Sequence, residues 1–126
     1  MYTVLVRIRE KVLEAEELGE QIARLSSAYK GLNYDGMPKG GAGDAMTMRM
    51  IAKDFVVARR DALKAEIKEL EEKAREAIEK LPAHLYAFCT YYYLGGYTLE
   101  ETCKIIDRDE TTFYRYKREV KKMLGE

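Results

Sequence analysis

The last stretch of the chain gathers the residues whose types and spacing can do chemistry. From residue 110 it reads ETTFYRYKREVKKMLGE. Over 111–126 five basic residues, Arg115, Lys117, Arg118, Lys121 and Lys122, stand against Glu119 and Glu126, a net of +3. The whole chain is neutral, with 22 basic and 22 acidic residues, so positive charge is concentrated at one end. A local basic patch, more than net charge, is what a phosphate backbone responds to. Phe113, Tyr116 and Val120 recur at helical spacing and make an apolar stripe. The opposite face then carries Thr111, Thr112, Tyr114, Arg115, Lys117, Arg118, Lys121 and Lys122. Side chains near the start of such a helix reach base edges and later ones reach phosphate. Thr111, Thr112, Tyr114 and Arg115 are therefore candidates for base or groove contact, with Arg115 suited to the paired acceptors of a guanine. Lys117, Arg118, Lys121 and Lys122 are candidates for phosphate contact. The competing reading is that these cations only favour the C-terminal end of a helix and stay solvated.

A basic helix reads nothing unless the elements before it hold it in place. Thr98 followed by Glu101 forms a capping box, hydroxyl and carboxylate each taking an orphaned backbone donor. The helix it opens is short and ends at Ile106. The sequence Asp107-Arg108-Asp109 makes a turn, with Asp107 where a left-handed residue is wanted and Asp109 placed to cap the next helix from Glu110. Short helix, tight turn and longer basic helix is a helix-turn-helix pattern. Cys103 falls where the two helices would cross and a small side chain is needed. Thr98 is a further candidate contact, because backbone donors at a helix start favour an anion.

Upstream, Leu81-Pro82 restarts a helix, Pro82 suiting its first turn. AHLYAFCTYYYL puts Leu85, Phe88, Cys89 and either Tyr92 or Tyr93 on one side, and Gly95 and Gly96 end it. The tyrosines of YYYLGGYT read as core and amphipathic rim, with base stacking by Tyr91 or Tyr92 as the alternative.

The first two thirds of the chain are helical in pattern. Over 2–30, Leu5, Ile8, Val12, Ala15, Leu18, Ile22, Leu25 and Tyr29 keep three- and four-residue steps. Lys30 to Asp44 holds most of the glycine and one of two prolines and reads as a loop. Its GMPKGGAGD lacks the Gly-Lys-Ser/Thr and the preceding strand that a phosphate loop needs. From Ala45 to about Leu81 one long helix is expected, capped by Asp44 or Thr47. Its stripe Leu63, Ile67, Leu70, Ala74, Ala77 and Leu81 has coiled-coil spacing. Two such helices fold back most simply as a hairpin, and the same stripe also suits a second copy of the chain. The run KAEIKELEEKAREAIEK is spaced for ion pairing along a solvated face.

Composition excludes several classes. No run approaches a membrane span, and no export signal opens the chain, so a cytoplasmic protein is expected. One histidine and two cysteines are too few for a structural zinc site, and Cys89 and Cys103 read as reduced core thiols. No nucleophile and base stand at a spacing that supports catalysis, so neither enzyme nor cofactor is expected.

The segment Leu81 to Leu124 resembles region four of bacterial sigma factors, and within that class the stand-alone ArpU/RinA-type phage regulators of late transcription. Tyr93, Gly96, Thr98, Glu101, Ile106, Thr112, Phe113, Tyr114, Arg115 and Leu124 carry the likeness. Thr102, Asp107 and Arg108 depart from it, standing for an aliphatic, a glycine and an apolar residue. No region-two-like segment is visible, so a complete sigma factor is not expected. The resemblance covers about a third of the chain by motif, and the N-terminal hairpin with its Gly-rich loop is similar in layout only. An all-α protein is expected: a coiled-coil-like helical hairpin over 1–80, serving oligomerisation or partner binding, then a helix-turn-helix domain over 81–126. The resemblance also implies that Tyr93 and Tyr97 pack beneath the helix-turn-helix. It further implies a phage or prophage transcription regulator that binds double-stranded DNA and contacts RNA polymerase. A homodimer through the N-terminal helices is a separate option, because symmetric half-sites add affinity, although sigma-type domains work as one copy. Two other functions fit the pattern. One is a small terminase-like packaging subunit. The other is a protein–protein adaptor, to which the acidic group Glu100, Glu101, Asp107, Asp109 and Glu110 lends support.

Overall fold

The computed structural model describes residues 1–31 and 39–125, with side chains described for 1–26 and 47–125. The described chain is all-α. Helix α1 spans Tyr2–Gly31, α2 Lys39–Glu79, α3 Ala83–Cys89, α4 Leu99–Ile106 and α5 Glu110–Leu124. A π-helical turn, Thr90–Leu94, prolongs α3. Among the described residues no helix is long and apolar enough to cross a membrane.

Helix α2 starts at Lys39, earlier than the expected Ala45, so Asp44 and Thr47 lie inside it and neither is its cap. Each glycine costs a helix about 1 kcal/mol, but extending an established helix adds a hydrogen bond per residue without a new nucleus. The glycines of 40–43 are carried on those terms. The rest of the expected loop, 32–38, lies outside the described residues.

Packing divides the chain into two units, Met1–Leu13 with Ala65–Glu126, and Glu14–Lys64. In the first, α1 contributes Tyr2, Leu5 and Ile8, the end of α2 contributes Ala74 and Ile78, α3 contributes Leu85, Phe88 and Cys89, and α5 contributes Phe113, Tyr116 and Val120. Each large apolar side chain buried there is worth about 1.5–3 kcal/mol. Phe88 lies at the centre, edge-on to Tyr93, Phe113 and Tyr116 at 6.0, 5.1 and 6.1 Å. Ile67, Leu70 and Ala74 of α2, and Leu81 just beyond its end, face this core, so this part of the expected coiled-coil stripe is occupied within one chain. Segment 81–126 thus shares its core with the start of α1 and the end of α2.

The second unit has a thinner interior. Ala15 and Leu63 are its buried apolar residues among those described, with Leu18, Ile22, Leu25, Val56 and Val57 half-buried. Arg59 reaches Glu14 across it at 3.2 Å, an exposed pair worth little by itself.

Candidate functional site

The segment from Tyr91 to Leu124 is assembled by local caps and two long-range clamps. The π turn ends with Gly95 donating to the Thr90 carbonyl at 2.9 Å and Tyr97 to the Tyr91 carbonyl at 3.2 Å. Gly96 turns left-handed there, at φ 72. Glycine is required at 95 for a different reason: a Cβ would stand 2.8 Å from the Tyr91 carbonyl oxygen and 3.2 Å from that of Thr90.

Arg9 of α1 holds this exit. Its guanidinium carbon lies 3.8 Å from the centre of the Tyr92 ring. One of its nitrogens donates to the carbonyls of Tyr92 and Tyr97, the second at 2.8 Å. Carbonyls at a helix end lack partners within the helix, and an arginine fork supplies them. The backbone entering α4 is thereby tied to α1.

Helix α4 begins as expected. Thr98 Oγ1 accepts from the Glu101 amide at 3.1 Å, and Glu101 accepts from the Thr98 amide at 3.1 Å. Thr102 of α4 is fully buried, and Cys103, the residue expected at the helix crossing, is half-buried and packs against the core. The Thr102 hydroxyl is buried without a hydrogen-bond partner. Burial raises the Cys103 thiol pKa, with Glu110 and Asp109 adding to it. Burial pushes the Cys89 thiol up to about 12.

Asp107 ends α4 in the left-handed region, φ 54 and ψ 51. The Arg108 amide reaches back to the Cys103 carbonyl at 3.0 Å and the Asp107 amide to Lys104 at 3.3 Å, the paired closure of a Schellman motif. Asp109 then caps α5, its Oδ1 accepting from the Thr112 amide at 2.8 Å. The hydrogen bonds from Thr112, and after them the charge of Arg115, hold the Asp109 carboxyl below the ordinary carboxylate range. At its far end α5 is fastened by Gly125, whose carbonyl accepts from the Tyr2 amide at 2.7 Å.

Phe113, Tyr116 and Val120 point into the core, which fixes the orientation of α5. Thr111, Tyr114, Arg115, Arg118 and Lys122 are exposed together on its outer side. Tyr114 is 43% exposed, its ring edge-on to Phe113. Arg115 extends along the helix, 4.0 Å from Glu119. The remaining candidates lie elsewhere. Lys117, expected on the outer face, is half-buried with its ammonium 5.9 Å from the Tyr92 ring. It lines a cleft of about 240 Å³ with Tyr2, Val6, Arg9, Glu10, Leu13, Tyr92 and Tyr93. The reason is the wheel: Lys117 is one turn after Phe113 and adjoins the core stripe. Lys121 is exposed but leans to the same flank, 5.9 Å from the Tyr2 ring. Thr112 is half-buried and its amide serves the cap, while Thr98 is exposed with its hydroxyl in the capping box.

Of the tyrosines, Tyr93 is buried in the core cluster with its ring edge-on to Tyr2 and Phe88, whereas Tyr97 is 39% exposed and lies against Tyr91 at 6.0 Å. Gly96 sets the chain direction just before Tyr97 and turns its ring to the outside. Two positioning residues carried no sequence signal. Arg9 is one. His84 is the other, 3.6 Å from Glu119 and with its ring 5.0 Å from that of Tyr116. Among the described residues no group of histidine, cysteine and carboxylate side chains is arranged to hold a metal ion.

The exposed face of α5 thus offers planar and ammonium donors, a phenol and a hydroxyl from one rigid, capped helix. Chemically it suits an anionic, hydrogen-bonding surface. Comparison of the chain with family models, with curated proteins and with solved structures finds no match.

Proposed function

We propose that this protein is a DNA-binding transcription regulator, of the ArpU/RinA-like phage or prophage type, in which α4, the turn and α5 act as a sigma-region-four-like helix-turn-helix. One observation carries the reading. Thr111, Tyr114, Arg115, Arg118 and Lys122 share the outer face of a helix whose opposite face is locked by Phe113, Tyr116 and Val120. A recognition helix needs this division, because bases are read by groups held rigidly against a groove. Arg115 and Tyr114 stand in the first two turns, where base edges come within reach, and Arg118 and Lys122 follow where phosphates lie. The partner is promoter DNA in the cytoplasm, with RNA polymerase as a second contact, and no cofactor is involved.

A second reading has its own observation. Glu100, Glu101, Asp107, Asp109 and Glu110 are all exposed around the start of α4 and the turn, where they repel phosphate. A protein–protein adaptor would use them directly. Fluorescence anisotropy separates the two: labelled promoter-region duplexes are titrated at several salt concentrations. A regulator binds one duplex tightly, with affinity falling linearly in log salt. Weak and equal binding to every duplex sinks the DNA reading and favours the adaptor. Ring-sized assemblies in solution would favour a packaging subunit.

A further inference from the structure

The second unit leaves an apolar stripe of α2 uncovered. Met48, Ile51 and Phe55 are 65%, 44% and 73% exposed, and exposed Ala58 and Ala62 continue the line. Their steps alternate three and four residues, the spacing of a two-helix seam. The inward side of α2 in this unit is a different one, with Leu63 buried and Val56 half-buried. A phenylalanine left mostly in water on such a stripe marks an interaction surface, more so in a unit with little core of its own.

We propose that this stripe is a seam between two copies of the chain, α2 lying parallel and in register with α2 of the second copy. The charges along its edges favour a second copy over another partner. Asp54 lies on one edge and Arg59 on the other. Parallel pairing brings each helix's acidic edge to its partner's basic edge, so Asp54 meets Arg59 of the other copy, twice by symmetry. Antiparallel pairing instead sets acidic edge on acidic edge, Asp54 with Asp61. A partner of uniform charge matches one edge and opposes the other. Arg59 already holds Glu14 at 3.2 Å and has further guanidinium donors for Asp54. Ala58 and Ala62 let the two backbones come close, since interaxial distance follows side-chain size. The proposal does not rest on DNA binding.

Light scattering after gel filtration tests it on the full chain. The seam spans only two heptads, so dissociation is expected on the order of 10 µM. A two-chain mass should appear as concentration rises. Phe55→Glu should weaken association at least about 100-fold, because each dimer then buries two unpaired charges. Circular dichroism should not change, Phe55 being 73% exposed, and Ile51→Lys should repeat the result. In a Cys103→Ser background, Met48→Cys and Ala62→Cys should each cross-link to themselves. A single-chain mass at about 300 µM overturns the proposal and leaves the stripe to another protein or a lipid surface. A two-chain mass indifferent to Phe55→Glu overturns it as well. Cross-linking only when the two cysteine variants are mixed overturns the parallel arrangement.

Discussion

The hydroxyls of Tyr2 and Tyr93, 91 positions apart, meet at 2.8 Å inside the first unit, with their rings edge to face at 5.7 Å. This bond fastens the first turn of α1 to the end of the π turn. Burial, and then the bond itself, raise the Tyr93 phenol well above its ordinary pKa, so it stays neutral. Tyr2→Phe should destabilise by about 1–3 kcal/mol, because the Tyr93 hydroxyl is left buried without a partner. The double variant Tyr2→Phe with Tyr93→Phe should recover most of that loss in urea unfolding. If the double variant is as unstable as the sum of the single ones, the bond is not what holds the pair.

Gly95→Ala forces a Cβ to within 2.8 Å of a backbone oxygen that has no flexible end to move. The π turn and the entry to α4 must shift, and a loss of about 1–3 kcal/mol is expected. Thermal unfolding measures it. Gly19→Ala is the control, since a Cβ there meets nothing within 4 Å.

Thr102→Val should stabilise the protein by about 1 kcal/mol by removing a buried hydroxyl that has no partner. DNA affinity should be unchanged, because Thr102 is enclosed beneath α4. Denaturant midpoints and one binding titration decide both halves.

On the proposed DNA reading, Arg115→Ala should cost about 1–3 kcal/mol on the cognate site and relax preference there. Lys122→Ala should weaken all sequences alike and lower the salt slope by about one. Lys117→Ala should act mainly on stability, because that side chain packs beside the Tyr92 ring. If Arg115→Ala and Lys122→Ala behave alike on every sequence, the assignment of the outer face fails.

The Asp109 cap has a definite pH signature. Its carboxyl titrates lower folded than unfolded, so the unfolded chain binds the proton more readily. The stability it contributes is present above the ordinary carboxylate range and is lost as pH falls through the depressed folded value. Asp109→Ser keeps a capping oxygen and removes the titration. Unfolding midpoints followed down through the acid range should fall less steeply for the variant than for the parent. Parallel curves would mean that the cap does not titrate as described.

The readable parts of this chain were those whose partners are near in sequence. Thr98 and Glu101 cap each other, Asp109 caps Thr112, and Asp107 sits in its turn through its own backbone preference. The period of Phe113, Tyr116 and Val120 likewise settled which side of α5 is buried. All-helical structure followed from the same local rules. What stayed hidden depends on distance. Nothing near Arg9 announces the Tyr92 and Tyr97 carbonyls it binds, and nothing near Tyr2 announces Tyr93 or Gly125. Lys117 on the flank turned on a rotation of about one residue. The two stripes of α2 show the limit most clearly: Ile67, Leu70 and Ala74 turn inward, while Met48, Ile51 and Phe55 remain exposed. Both have helical spacing. Period determines that a stripe exists; only the packing of other helices against it determines which stripe is covered.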